Sequence, residues 1–309
     1  MNWDRVERLL GSHNLALLAQ KRVGVAGVGS GGGFVALSLA MSGVGHFVLI
    51  DGDVIKETNI VRHVADRRYL GRPKAEAVAD LILKRNPAAQ VTAIHGRVED
   101  HLDVLAGLDL LVVGLDGEGP KYTLNEACLS LGLPAVYAGV YERGEGGDVV
   151  LITPGGGPCY ACWAAELREE VIASHEDDSA PLDYGMIGPE GTLEAEPGLW
   201  LHVTRVASAQ ADIALNELLH GTEVYRALPG NTVIIANVPL EIISGQTSFP
   251  YTALWVAIER DPQCLVCGTL LGKTADQTAQ ADVSLDELMS NTGIVLEEHA
   301  QRQSKEEQK

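Results

Sequence analysis

Short, unbroken apolar runs alternate with stretches of helical spacing through the first half of the chain. Arg22-Val-Gly-Val-Ala-Gly27, His46-Phe-Val-Leu-Ile50, Gln90-Val-Thr-Ala-Ile94, Leu108-Asp-Leu-Leu-Val-Val113 and Pro134-Ala-Val-Tyr-Ala138 read as strands. Runs this apolar belong to strands buried on both faces. Between them, residues 30–42 are small and apolar and predict a helix packed closely on a sheet. Residues 73–85 open on Pro73 and keep Ala77, Val78, Leu81 and Ile82 on one face, and 119–132 read as a further helix. Val6, Leu9, Leu10, Leu15, Leu17 and Leu18 predict short amphipathic helical turns over 2–20. Strands alternating with helices imply right-handed crossovers and a doubly wound, mostly parallel, Rossmann-like α/β sheet.

Beyond residue 147 the pattern changes. Asp148–Ile152, Asn231–Ala236, Glu241–Ile243 and Thr252–Ile258 read as strands mostly without regular crossovers, which predicts an antiparallel extension. Residues 201–220 predict a helix and 174–200 an acidic loop. The polar tail over 273–309 holds at most a short helix capped by Ser284 and Glu287. Residues 1–272 are therefore expected to form one domain, with a nucleotide-binding half over 1–146 and the antiparallel half over 147–272.

Composition narrows the partners. Hydrophobic residues are 46% of the 309 and aromatics only 5%, so Ala, Val, Leu and Gly must build the core. The net charge of −19 repels nucleic acid phosphates and anionic lipid, so neither is an expected partner. No apolar run is long enough to span a bilayer. Met1-Asn2-Trp3-Asp4-Arg5 has no apolar signal core, and a cytoplasmic location is expected.

Gly27-Val-Gly-Ser-Gly-Gly-Gly33 follows a strand and opens a helix, with Gly27, Gly29 and Gly32 in G-x-G-x-x-G spacing. Such a turn lets backbone N–H groups approach a phosphate along the helix dipole. Asp51, ending the next strand, is placed to accept from a ribose hydroxyl. Taken alone, the pair predicts a nucleotide, with NAD the first guess and a purely structural turn the bland alternative.

The charged residues downstream of Asp51 argue against NAD. Asp51-Gly-Asp53, Asn59-Ile-Val-Arg62, Gly71-Arg-Pro-Lys74 and Gly114-Leu-Asp116 fall at or near the C-terminal ends of predicted strands, where ligands bind in such sheets. A nicotinamide pocket is apolar. Cations that offset phosphate charge, with a carboxylate to hold magnesium, suit nucleotidyl transfer.

This combination resembles the adenylyltransferases of the ThiF/MoeB type, relatives of ubiquitin-activating enzymes, strongly over about residues 20–140. The resemblance implies that Gly27, Gly29, Ser30, Gly32 and Asp51 seat ATP, with Asp51 on the ribose. It implies that Asn59, Arg62 and Lys74 contact the phosphates and that Asp116 serves Mg2+ and the adenylate, so Arg62, Lys74 and Asp116 are the expected catalytic set. It also implies a homodimer in which an N-terminal arginine, Arg5 or Arg8, completes the neighbour's site. Three positions depart from the family pattern: Ser30 replaces a common glycine, Gly117 an asparagine and Lys121 an arginine.

Cys159-Tyr-Ala-Cys162 and Cys264-Leu-Val-Cys267 are paired Cys-x-x-Cys knuckles. Four thiolates make a closed structural Zn2+ site, and the resemblance extends through them to about residue 270. Cys128, the remaining cysteine, lies mid-helix among apolar neighbours and is read as a small buried hydrophobe. His63, beside Arg62, could face the site but is expected at the surface, and His175-Glu-Asp-Asp178 reads as a solvated acidic loop.

The expected reaction is ATP-dependent adenylylation of the C-terminal carboxylate of a small ubiquitin-like or sulfur-carrier protein ending in Gly-Gly. Pyrophosphate would leave, and no thioester would form on this chain. A ribosomal peptide or other small carboxylate, an NAD-binding oxidoreductase and a non-catalytic dimeric scaffold are the alternatives.

Overall fold

The computed structural model describes residues 2–173, 198–243 and 246–268. An eight-stranded sheet runs in the order β10-β7-β6-β5-β4-β1-β2-β3. Its parallel part is β1 (Arg22–Ala26), β2 (His46–Asp51), β3 (Gln90–His95), β4 (Leu110–Val113) and β5 (Ala135–Val140). Then β6 (Gly146–Ile152), β7 (Thr232–Ala236) and β10 (Ala253–Val256) extend it antiparallel. The predicted parallel sheet with an antiparallel extension is what forms.

Consecutive residues of the central strands feed opposite sides of the sheet. Leu110 and Val112 join one apolar cluster with Val25, Leu49 and Val136, whereas Leu111 and Val113 join another with Ile50 and Tyr137. That two-sided burial is why these strands read as unbroken apolar runs. Helices α3 (Ser30–Met41), α4 (Lys74–Arg85) and α7 (Trp200–Leu218) cover the first face, and α5 (Glu118–Leu131) and α6 (Tyr160–Ala173) the second. The short α1 (Asp4–Leu10) and α2 (Ser12–Leu18) precede β1 and add Leu18 to the first cluster.

Two elements differ from the sequence reading. The first is α6, which starts inside the first cysteine pair, where spacing of the cysteines masks the helical period. The second is β8 (Leu240–Ile243), which is not in the main sheet but pairs antiparallel with β9 (Gln246–Ser248). The loop expected over 174–197, His175–Asp178, Ser284, Glu287 and the tail over 273–309 lie outside the described residues. No helix among the described residues is long and apolar enough to cross a membrane. The described residues up to Asp261 make one compact unit, and those over 262–268 belong to another. In the second, the Gly268 N–H closes a turn on the Cys264 carbonyl at 2.8 Å.

Candidate nucleotide site and cysteine cluster

The strand order reverses at β1. Helices α3 and α4 link β1 to β2 and β2 to β3 on one face, while β4 lies on the other side of β1 and leads to α5 on the opposite face. A crevice at such a reversal is the ligand position of doubly wound sheets. Three glycines crowd it. Gly27 turns the chain at φ +80°, a conformation open to glycine. A Cβ on Gly32 would stand 1.9 Å from the Gly27 carbonyl oxygen, and one on Gly114 would meet that oxygen and the Gly32 Cα at 3.1 Å. Gly29 caps α3, and a Cβ there would have nothing within 4 Å. The turn is thus packed from below and open at Gly29, above the first N–H groups of α3, which have no partners within the helix.

Asp51, at the end of β2, locks this turn. Its Oδ2 accepts the Val28 N–H and its Oδ1 the Asp53 N–H, both at 2.8 Å. The next segment is held by a second pairing 20 residues on. Val54 bridges Pro73, and the Lys74 N–H donates to the Asp53 carbonyl at 2.9 Å. This seats Lys74 at the first position of α4, where its Nζ meets Asp53 Oδ2 at 2.7 Å. The Lys74 side chain is 12% exposed and that of Asp53 64%. The Lys74 hydrogen bond, outweighing partial burial, holds the Asp53 carboxyl below its usual range.

Asn59 and Arg62 lie on a 3-10 helix over Glu57–Arg62. Asn59 Oδ1 accepts the Lys56 N–H at 2.9 Å, and among the described residues its Nδ2 makes no hydrogen bond. Arg62 ends that helix, partly buried. His63 is buried rather than at the surface, at 9% exposed. Its Nδ1 accepts the Ala65 N–H at 2.9 Å, so Nε2 carries the proton and donates to the Val28 carbonyl at 2.9 Å. Burial lowers its pKa, consistent with that neutral ring. No local period marks His63; its partner is 35 residues away.

Asp116 follows β4 and Gly114, exposed, and among the described residues it makes no ion pair. An exposed carboxylate without a cation, beside a phosphate-sized turn, is the donor type that Mg2+ takes with nucleotide oxygens. Lys74 therefore pairs with Asp53 and not with Asp116. The structure joins Asp51 to the glycine turn, Lys74 to Asp53, and the Gly114 segment to Gly27 and Gly32. Ser30 is the first residue of α3.

The four cysteines also come together. Cys159, Cys162, Cys264 and Cys267 place their Sγ atoms within 4.8 Å of one another. None of them forms a disulfide, and the Cys159 and Cys162 sulfurs stand 3.8 Å apart. Tetrahedral coordination at about 2.3 Å per sulfur sets neighbouring thiolates about 3.8 Å apart. Two buried donors nearby, Tyr137 Oη and Asn125 Nδ2, have no partner among the described residues. The Tyr137 ring stacks on Tyr160, and Asn125 Oδ1 accepts the Tyr160 N–H. An anionic tetrathiolate beside such donors has the right sign, so the set fits zinc. Cys128 is 2% exposed, and burial pushes its thiol up to about 12.

Comparison with known proteins places the chain among relatives. The profile of the ThiF family matches residues 4–227. The chain is 34% identical over 163 residues to the SAMP-activating enzyme E1 of Haloferax volcanii, covering 52% of this chain and 59% of that one, less than two thirds of its length. It is 30% identical over 182 residues to the molybdopterin-synthase adenylyltransferase of Escherichia coli, covering 58% and 72%. Among solved structures it is similar to Escherichia coli MccB with ATP, with a TM-score of 0.63, 22% identity and coverage of 86% of this chain and 75% of that one.

Proposed function

Since the chain belongs to the ThiF family, we propose that it uses ATP to adenylylate the C-terminal carboxylate of a small ubiquitin-like or sulfur-carrier protein with a flexible Gly-Gly end. A carboxylate oxygen attacks the α-phosphorus, the bond from that phosphorus to the β-phosphate oxygen breaks, and acyl-AMP and pyrophosphate result. The observation that carries the reading is the Lys74–Asp53 pair at 2.7 Å on the lip of the glycine turn, beside Asp51. A nicotinamide would need an apolar wall there, and a scaffold would have no use for a desolvated lysine.

In this reading the N–H groups at Gly29, Ser30 and Gly32 cradle phosphate, and Asp51 turns its remaining lone pairs to the ribose. Asn59 orients the phosphates through its Nδ2. Lys74 exchanges Asp53 for the developing phosphate charge, and Arg62 shares that task. Asp116 would hold Mg2+, which would supply positive charge to offset that of the phosphates. Cys159, Cys162, Cys264 and Cys267 would hold Zn2+, which would serve as a structural brace and take no part in the reaction. The acyl group stays an adenylate until an external acceptor takes it, because Cys128 is buried with its thiol protonated. We place the protein in the cytoplasm as a homodimer. Arg8 already pairs with Asp4 at 3.0 Å, which leaves Arg5 as the better arginine to offer a neighbour.

Carrier-dependent exchange of labelled pyrophosphate into ATP, run beside NADH binding, tests this. Exchange without NADH binding is expected, and Lys74→Ala should slow it by about 100-fold. NADH binding without exchange would make the chain an oxidoreductase, and neither would make it a scaffold.

A further inference from the structure

Tyr160 stands between the first two cysteines and is gripped on several sides. Its ring stacks on Tyr137 of β5 with centroids 4.5 Å apart and meets Tyr122 of α5 edge-on at 5.5 Å. Trp163 leans on it at 5.2 Å, and the Tyr160 N–H is fixed by the buried Asn125 at 2.9 Å. The hydroxyl of this buried ring donates to Glu118 Oε2 at 2.9 Å. Glu118 is the first residue of α5, and its other oxygen accepts from Lys121 Nζ at 2.9 Å. The Lys121 side chain is only 5% exposed, so its ammonium depends on that carboxylate. Immediately before Glu118 the chain reads Asp116-Gly117. Asn125 thus ties the body of α5 to the backbone of the knuckle, and the Tyr160 hydroxyl ties down its first residue, two positions after Asp116.

We propose that Tyr160 is a positioning residue: through Glu118 it transmits the ordered state of the cysteine knuckle to the first turn of α5, and so fixes the Asp116 carboxylate. The link to catalysis rests on the adenylylation reading above; the mechanical link does not. Without the hydroxyl, Glu118 keeps its bond to Lys121 within its own helix but loses its tie across to the knuckle. Gly117 adds backbone freedom next to the carboxylate that must stay aimed. The expected defect is thus in the use of the divalent cation, not in the carrier's docking.

The test uses the full-length, zinc-loaded protein and Tyr160→Phe, which keeps the ring and its packing. Zinc content should be unchanged, while the amides of Lys121–Leu124, the first of α5 that bond within the helix, exchange hydrogen about fivefold faster, the scale of one lost hydrogen bond. The Mg2+ concentration giving half-maximal pyrophosphate exchange should rise by a similar factor of about five, with the KM for carrier unmoved. Glu118→Gln, which also removes the carboxylate that Lys121 depends on, should show both effects at least as strongly, and adding Tyr160→Phe to it should worsen them less than Tyr160→Phe does alone. Chelating zinc from the parent protein should speed exchange at the same amides. Unchanged protection at Lys121–Leu124 in Tyr160→Phe overturns the proposal, as does a general loss of rate with no shift in Mg2+ dependence. If the parent protein catalyses no pyrophosphate exchange yet the amides of Lys121–Leu124 respond as described, the adenylylation reading fails and the coupling stands.

Discussion

His63 fixes the carbonyl of Val28 while accepting the N–H of Ala65, both at 2.9 Å, and can do so only as the neutral ring. A proton on Nδ1 would set donor against donor. Burial places its pKa in the fold below the ordinary 6.5. The unfolded chain then takes up the proton first as pH falls, so this residue's contribution to stability is complete above about 6.5 and declines below it. Unfolding temperature should therefore drop from pH 6.5 downward. His63→Gln, whose amide offers one donor and one acceptor, should flatten that slope, as calorimetry across about pH 7.5 to 5 would reveal. An identical slope in the variant would place the acid sensitivity elsewhere. The sequence does not announce this histidine, because its partners are set by the fold. Asp51 and Lys74 were legible because they end or begin elements at a motif. Their neighbours were not: the pairing of Lys74 with Asp53 depends on the bridge between Val54 and Pro73, which no periodicity encodes.

At the level of elements, the join of β1 to α3 separates two jobs usually credited to one glycine motif. A methyl on Gly32 would drive into the Gly27 carbonyl at 1.9 Å, whereas one on Gly29 would touch nothing. Gly32→Ala should cost about 3 kcal/mol or more by forcing α3 off the sheet. Gly29→Ala should keep its unfolding temperature yet bind ATP weakly, since its methyl points where a phosphate would sit. Thermal unfolding and nucleotide titration of both variants distinguish the roles; equal damage to stability would contradict the division. The parallel strands and their helices were readable because both periods are strong there. Helix α6 was not: Tyr-Ala-Cys-Trp-Ala-Ala-Glu starts inside a metal-type motif whose cysteine spacing dominates the eye. Strand β9, Gln246–Ser248, is three residues long with no apolar position to betray it.

Across the molecule, a chain with few aromatic residues closes two apolar layers around one sheet, and on the zinc reading the four cysteines would add a brace. Elemental analysis should find about one zinc per chain, and stripping it should lower the unfolding temperature by about 10 °C or more. A protein that is as stable without the metal would reduce the cluster to an accident of neighbouring thiols. The 42 acidic residues against 23 basic give a net charge of −19, which repels phosphates and anionic lipid. The strand order carries a consequence in time as well as in space. On a ribosome β1 appears before both neighbours, β2 on one flank and β4 on the other. A nascent chain halted after β3 would have half a floor, its glycine loop opposite empty water where Gly114 belongs. ATP offered during translation should thus find no finished seat until Leu110 through Asp116 has cleared the exit tunnel.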